Sequence, residues 1–240
     1  MIQDGCKDMC TYCIIPHVRP NRVSKSIAEV VTEVERLAAS GVAEITLTGI
    51  NLGTYEFGLV NLLSALRTQD SASKTFRFSS LEPRYLSDAF VEAVAVNPSI
   101  CAHFHLCLQS GSDAVLERMV RGYTTADFAA LVQKFRAAYA KWGREVSFST
   151  DLIVGFPGET EAQFCESLDL CRQLDFNKIH VFPYSVRTYT RAARYPNQVT
   201  EDTKKERVKR AMALSDQMAE DAARQLLGST VEILVDEVHS

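Results

Sequence analysis

The chain has 240 residues, 46% of them hydrophobic and 23% charged, which suits one large α/β domain with a sizeable core and excludes a disordered or fibrous chain. Its formal net charge of −4 argues against gripping nucleic acid through an overall field, leaving only local basic patches for that task. No apolar run approaches the ~18 residues of a membrane span. Seven cysteines, three of them clustered behind an acidic-polar start, fit a metal site in a reducing cytoplasm better than a disulfide framework.

The first feature along the chain is Cys6-Lys7-Asp8-Met9-Cys10-Thr11-Tyr12-Cys13, a C-x3-C-x2-C spacing. Three thiolates on one tight loop leave one position of a four-site centre open. Such a loop can wrap a corner of an iron–sulfur cluster. With His17 it can instead close a structural zinc tetrahedron. The first gap of three departs from the paired C-x2-C of zinc knuckles, and the loop opens a repeating α/β pattern rather than a small stapled module. Both points weigh toward the cluster and leave zinc as the competitor.

A basic turn at Arg19-Pro20-Asn21-Arg22 follows. Ser26 and Glu29 then form a capping box, and Ile27, Val30, Val31, Val34 and Leu37 recur at helical spacing up to Gly41. Strands are predicted over 44–48, 76–81, 104–108, 146–154 and 178–182. Helices are predicted over 59–66, 87–96, 112–119, 125–142, 161–174 and 201–227. The segment 230–235 alternates like a further strand. Because the cysteine motif comes so early and that strand so late, the chain is expected to be part of a longer protein.

Strands alternating with helices predict a parallel sheet. Each loop after a strand carries Gly, Ser, Asn, Gln or Glu, which is where a β/α barrel builds its active site. A doubly wound sheet makes the same prediction about loop ends, so both remain open at this point. On the 104–108 strand, His103, His105, Cys107 and Gln109 share one face and Phe104, Leu106 and Leu108 the other. His105 is better read as a satisfied core histidine than as a catalytic group. Cys107 reads as a small buried hydrophobe, and Cys101, Cys165 and Cys171 receive no function. The run Lys204-Lys205-Glu206-Arg207-Val208-Lys209-Arg210 is interleaved with Glu201, Asp202 and Glu206, which weakens it as a phosphate site; Arg19 and Arg22 are better placed for one.

The cysteine loop at the head of such a domain resembles the radical SAM enzymes. Its flanks resemble their methylthiotransferase branch. The blocks are Gly5–Pro16, Leu47-Thr-Gly-Ile-Asn-Leu-Gly53, Ser79-Ser-Leu-Glu-Pro83, Leu108-Gln-Ser-Gly-Ser-Asp113, Asp151–Glu159 and Val181-Phe-Pro-Tyr-Ser185. Gly122-Tyr-Thr-Thr125 and the Thr-Gly-Ile-Asn wording look most like tRNA enzymes acting on C2 of N6-threonylcarbamoyladenosine at position 37.

The resemblance implies an α/β fold, a partial (β/α)6 radical SAM barrel with parallel strands and outer helices, over residues 1–190. A helical extension over 191–228 and the start of a truncated TRAM-like β domain over 229–240 would follow. It implies a [4Fe–4S] cluster on Cys6, Cys10 and Cys13, with S-adenosylmethionine on the open iron. Gly49 and Asn51 would then hold the methionine amine; Gln109 and Ser110 the ribose; Asp151 the cofactor or substrate; Gly155 and Phe182 the adenine. Arg19 and Arg22 would meet nucleic acid. The implied partners are tRNA and a reductant such as flavodoxin or ferredoxin, with no DNA and no membrane, in the cytoplasm.

Three departures qualify this. The family's preceding domain, with three more cysteines and a second cluster, is expected only in the full-length protein. The segment Arg19–Lys25 replaces a more glycine- and arginine-rich version. Tyr189 stands where glycine is usual. The alternatives are another modified adenosine or a ribosomal protein as target, or a non-catalytic zinc-binding domain.

Overall fold

The computed structural model describes residues 1–67, 75–231 and 233–234. Its strands are β1 (Gln3–Asp4), β2 (Val23–Ser24), β3 (Glu44–Leu47), β4 (Thr75–Phe78), β5 (His103–His105), β6 (Ser147–Val154) and β7 (Lys178–Pro183). The helices are α1 (Ile15–Val18), α2 (Ile27–Ala39), α3 (Leu59–Arg67), α4 (Asp88–Ala95), α5 (Asp113–Met119), α6 (Thr125–Ala140), α7 (Glu161–Leu174) and α8 (Glu201–Gln225).

Parallel ladders join β3 to β4, β5 to β6 and β6 to β7. Parallel bridges Phe76–Ile100 and Leu81–Leu106 connect β4 to the β5 region. Beyond the expected strands, the short β1 adds to the other edge. Gln3 bridges Gly49 in parallel, and the Ile2 amide donates to the Thr48 carbonyl at 2.8 Å. Strand neighbours therefore follow chain order from β1 through β3 to β7 without the reversal of a doubly wound sheet. The sheet curves but does not close, as a partial barrel.

Local chemistry explains the helices. The Ser26–Glu29 capping box forms as expected, and Thr124–Asp127 and Thr160–Gln163 form two more. The core lies between the sheet and its outer helices. Phe104 meets Phe135 in a tilted contact with ring centroids 4.7 Å apart, and Phe135 meets Phe148 edge-on at 5.8 Å. Truncating one of these buried rings to alanine costs about 3–5 kcal/mol.

The long charged helix α8 is not a solvated rod. It covers the open edge at β7, where the buried Ser215 hydroxyl accepts from the Ile179 amide and donates to its carbonyl, both at 3.0 Å. A free strand edge is thereby satisfied by a side chain. Arg207, 4% exposed, pairs with Glu159 at 2.7 Å. Lys204, Arg207 and Arg210 of the basic run are thus engaged in ion pairs with Glu201, Glu159 and Glu161. At 230–235 no strand forms over residues 230, 231, 233 and 234; residues 232 and 235 lie outside the described set.

Candidate active site

The cysteine loop leaves β1 at the end of the sheet where the other strands also finish. Gly5 makes the exit turn at φ +75°, and a Cβ there would lie 2.0 Å from the Asn21 carbonyl oxygen. The Cys6 amide donates to the Arg19 carbonyl at 3.1 Å. Thr11 ties the loop to the end of α5: its amide donates to the Met119 carbonyl at 3.1 Å and its hydroxyl to the Arg118 carbonyl at 2.8 Å. The Ala192 amide in turn donates to the Thr11 carbonyl at 2.8 Å.

Cys10 is buried, and Cys6 and Cys13 are half-buried. Burial pushes the Cys6 and Cys13 thiols up, and the neighbouring cysteines push the same way. Three thiolates crowded together need a cation to stay ionised. Among the described residues, the one His/Cys/Asp/Glu triad whose ligand atoms all lie within 4.8 Å of one another is His105, Cys107 and Asp151. The three loop cysteines do not form such a triad. A single zinc ion would hold them about 3.8 Å apart, given Zn–S bonds of about 2.3 Å. A multinuclear cluster binds its thiolates on separate irons and needs no such tight triangle, and three cysteines on one loop fit it.

Asn51 sits beside the loop. Its amide nitrogen donates to Asp8 Oδ2 at 2.8 Å and reaches Cys6 Sγ at 3.7 Å, while its Oδ1 is buried without a hydrogen-bond partner. An orphaned buried acceptor is costly unless something fills it, and an ammonium group fits. Gly49 packs instead against β1: a Cβ there would lie 3.1 Å from both Cβ and O of Gln3. The lack of a side chain lets β1 pack closely at this point.

Gln109 is buried with a left-handed backbone, φ +69°, a strain that non-glycine residues carry only where the surroundings enforce it. Here the Asp151 carbonyl accepts from its amide and the Ile153 amide donates to its carbonyl, both at 2.9 Å. Its side chain faces a cleft of about 170 Å³ shared with Tyr12, Ile153, Phe182 and Arg187. Phe182 is half exposed at the cleft rim, whereas Tyr184 is core.

Two residues expected at the cofactor pack against other parts of the chain. Ser110 is fully buried, its hydroxyl 3.4 Å from that of Ser167 on α7 and accepting from the Ser112 amide. Gly155 has φ +74°, but the space before it is occupied by Lys204 of α8, whose Cγ lies 2.4 Å from where a Cβ would be. The missing side chain there lets Lys204 pack against the Gly155 backbone. Arg19 is half exposed and paired to Asp4 at 2.9 Å, and Arg22 is exposed on the same turn.

The barrel interior below the cleft carries a polar chain. The Ser149 hydroxyl lies 3.0 Å from His103 Nε2 and 3.1 Å from His105 Nδ1. His105 Nε2 sits 3.3 Å from Asp151 Oδ1, without hydrogen-bond geometry. Burial first, then Arg77, lowers His103 to about 4, so it stays neutral. Burial pushes the Cys107 thiol to about 12, which agrees with its reading as an apolar residue.

Sequence reasoning missed a charged group beside the cluster loop. Asp8 pairs with Arg84 at 2.6 Å and accepts from the Tyr85 hydroxyl at 2.5 Å. Glu82 pairs with Arg121, which is 4% exposed and also donates to Cys10 Sγ at 3.3 Å. Burial raises Glu82 while Arg121 and Arg84 pull it down. Glu82 stood inside a quoted motif; Arg121, a lone arginine after a helix, carried no signal.

A multinuclear cluster held by only three thiolates at the mouth of an open parallel barrel keeps an iron free, which is the arrangement of an enzyme that activates a small ligand at that iron. The comparisons narrow this class. The chain belongs to the radical SAM superfamily, matched over residues 1–171, whose members use a [4Fe–4S] cluster and S-adenosylmethionine.

Among similar proteins is "Threonylcarbamoyladenosine tRNA methylthiotransferase MtaB" of Bacillus subtilis (strain 168), 41% identical over 241 residues, covering 98% of this chain and 52% of that protein. Another is the "tRNA-2-methylthio-N(6)-dimethylallyladenosine synthase" of Caldicellulosiruptor saccharolyticus, 37% identical over 237 residues, covering 97% and 50%. The chain spans about half the length of the curated relatives it matches.

Solved structures agree on the fold. The radical S-adenosylmethionine methyltransferase TsrM of Kitasatospora setae aligns with a TM-score of 0.67 at 21% identity, over 80% of this chain and 37% of that one. The coproporphyrinogen III oxidase HemN of Escherichia coli aligns at 0.65 and 16%, over 90% and 51%. Among the described residues no helix is long and apolar enough to cross a membrane.

Proposed function

We propose that this chain is the radical SAM core of a tRNA methylthiotransferase acting on C2 of N6-threonylcarbamoyladenosine at position 37. The observation that carries the reading is the 41% identity with the Bacillus subtilis enzyme across nearly the whole chain, cysteine loop included. The C2–H of adenine is inert to acid–base chemistry, so the reaction needs a radical route; when bound, the cluster supplies the electron that cleaves S-adenosylmethionine.

This chain's own part is binding, orientation and exclusion of water. Cys6, Cys10 and Cys13 hold the cluster. Asn51 Oδ1 accepts from the methionine ammonium. Gln109 and Phe182 contact the nucleoside in the small cleft. Asp151 lines the barrel beneath it, its Oδ1 3.3 Å from His105 Nε2. Arg19 and Arg22, at the loop that supports Gly5, face the phosphates of the RNA, which makes RNA affinity salt-dependent.

Anaerobic reconstitution should load about four irons on the three-cysteine loop. Dithionite should then release 5′-deoxyadenosine from S-adenosylmethionine. A fully loaded protein that yields none refutes the enzyme reading. A second target, the dimethylallyl-modified adenosine, is favoured by the 37% identity with a synthase of that type. Nucleoside analysis of tRNA from cells with and without the gene separates the two: the methylthio group disappears from one modified adenosine and not the other.

A further inference from the structure

We infer that Arg121 is a positioning residue for the cluster, donating a fixed charged hydrogen bond to the Cys10 sulfur so that an electron enters the cluster more readily. The inference rests on the cluster reading above and concerns a residue to which that reading gives no role.

The backbone is arranged to deliver this side chain. Helix α5 ends at Val120, in the left-handed region at φ 58° and ψ 50°. A β-branched residue there is an outlier in any protein. The turn is held by the Arg121 amide, which donates to the Leu116 carbonyl at 3.0 Å. It reverses the chain so that Arg121 runs back under the cysteine loop instead of out into solvent. Two carbonyls at the same helix end, those of Arg118 and Met119, hold Thr11 of the loop. One structural end therefore fixes both the loop and the guanidinium beneath it.

The guanidinium is fully used. Nε donates to the Tyr123 hydroxyl at 3.0 Å. Nη1 donates to Cys10 Sγ at 3.3 Å and to the Tyr12 hydroxyl at 3.2 Å. Nη2 donates to Glu82 and to the Cys107 carbonyl at 3.1 Å. A planar fork with five donors meets five acceptors, so the N–H aimed at the sulfur cannot rotate away. If neutralising Glu82 were the whole role, Nη2 alone would suffice. Arg84 also faces Glu82, at 3.7 Å.

Hydrogen bonds to the sulfurs, net charge and solvent exposure set the potential of an iron–sulfur cluster. Reduction adds negative charge to the cluster and its thiolates. A buried N–H donor with a full positive charge is therefore worth more to the reduced form than to the oxidised one. Removing it makes reduction less favourable.

The test is a redox titration followed by electron paramagnetic resonance, on reconstituted wild type, R121K and R121Q. Lysine keeps a charge but loses the fork; glutamine loses both. The expected order of midpoint potential is wild type above R121K above R121Q. The R121Q shift should be about tenfold in the reduction equilibrium, or 59 mV for a one-electron couple. Equal midpoints in variants with full iron content overturn the inference. Loss of iron from both variants also overturns it, and makes Arg121 a strut of the loop. A wild-type chain that takes up no iron refutes the cluster reading instead, so the two failures are told apart.

Discussion

Replacing Gly5 with alanine should disable the cluster loop without touching a cysteine. A side chain at φ +75° costs about 1–2 kcal/mol through contact with its own backbone. The new Cβ would lie 2.0 Å from the Asn21 carbonyl oxygen and 3.0 Å from that of Arg19. Neither obstacle is a flexible side-chain end, so residues 19–21 must shift by roughly an ångström to restore ordinary contact. The shift breaks the bond from the Cys6 amide to Arg19, worth about 1 kcal/mol. The total is roughly 3 kcal/mol, and a chain of this size loses about 2–4 °C of melting temperature per kcal/mol, or about 6–12 °C. Thermal denaturation of the apoprotein measures it, and iron content after reconstitution should fall with it. Gly143 is the control: φ is +62° and nothing lies within 4 Å of where a Cβ would stand, so G143A should cost about 1 kcal/mol and leave iron uptake unchanged. A G5A protein with a wild-type melting temperature and full iron would refute the reasoning.

Asn51→Ala should weaken S-adenosylmethionine binding about tenfold by calorimetry on the reconstituted protein, the ~1.4 kcal/mol of one hydrogen bond to a charged group, while S110A should leave that affinity unchanged. Equal losses in both would place Ser110 in the cleft after all. Arg207→Met should destabilise by about 3–5 kcal/mol, because it leaves the buried Glu159 without its partner, and the R207M/E159Q pair should recover most of the loss in urea melts. His103 is held neutral, with its proton affinity lowered from 6.5 to about 4. The unfolded chain therefore binds that proton first as pH falls, so the stability it carries is complete above pH 6.5 and lost between 6.5 and about 4, by roughly 3 kcal/mol. H103Q should flatten that part of the wild-type pH profile; an unchanged slope would assign it to other groups.

Much of the fold was legible because hydrophobic periodicity and caps are local. The Ser26–Glu29 box and the five later strands follow from residues within one turn or one pleat of each other. The short β1 was not legible: its pairing rests on Ile2 and Gln3 meeting Thr48 and Gly49, about 46 positions away, and two residues carry no periodic pattern. The three cysteines were legible because spacing on one loop is a local property. Whether a loop glycine faces a ligand or another part of the chain is not. Gly155 reads as an opening for a cofactor, yet Lys204 of a distant helix fills it. Ser110 misled for the same reason, since the turn after Gln109 swings its hydroxyl to Ser167 on α7.

The cluster loop also explains why so much chain is needed to present three thiols. It has little regular structure of its own, and each anchor comes from afar: Gly5 from the turn at 19–21, Thr11 from the end of α5 and from Ala192, Asp8 from Arg84 and Asn51. A loop of thiolates repels itself, and without these ties it would relax until the charges separated. The anchors come from elements far apart in the chain, so the fold as a whole fixes their separation more rigidly than any local turn. Of the five non-glycine residues with positive φ, namely Gln109, Val120, Asp175, Tyr189 and Asn197, Gln109 lines the cleft and Val120 precedes Arg121 beneath the cysteine loop. Both positions take non-glycine residues at a cost in stability, which the hydrogen bonds to Asp151, Ile153 and Leu116 offset.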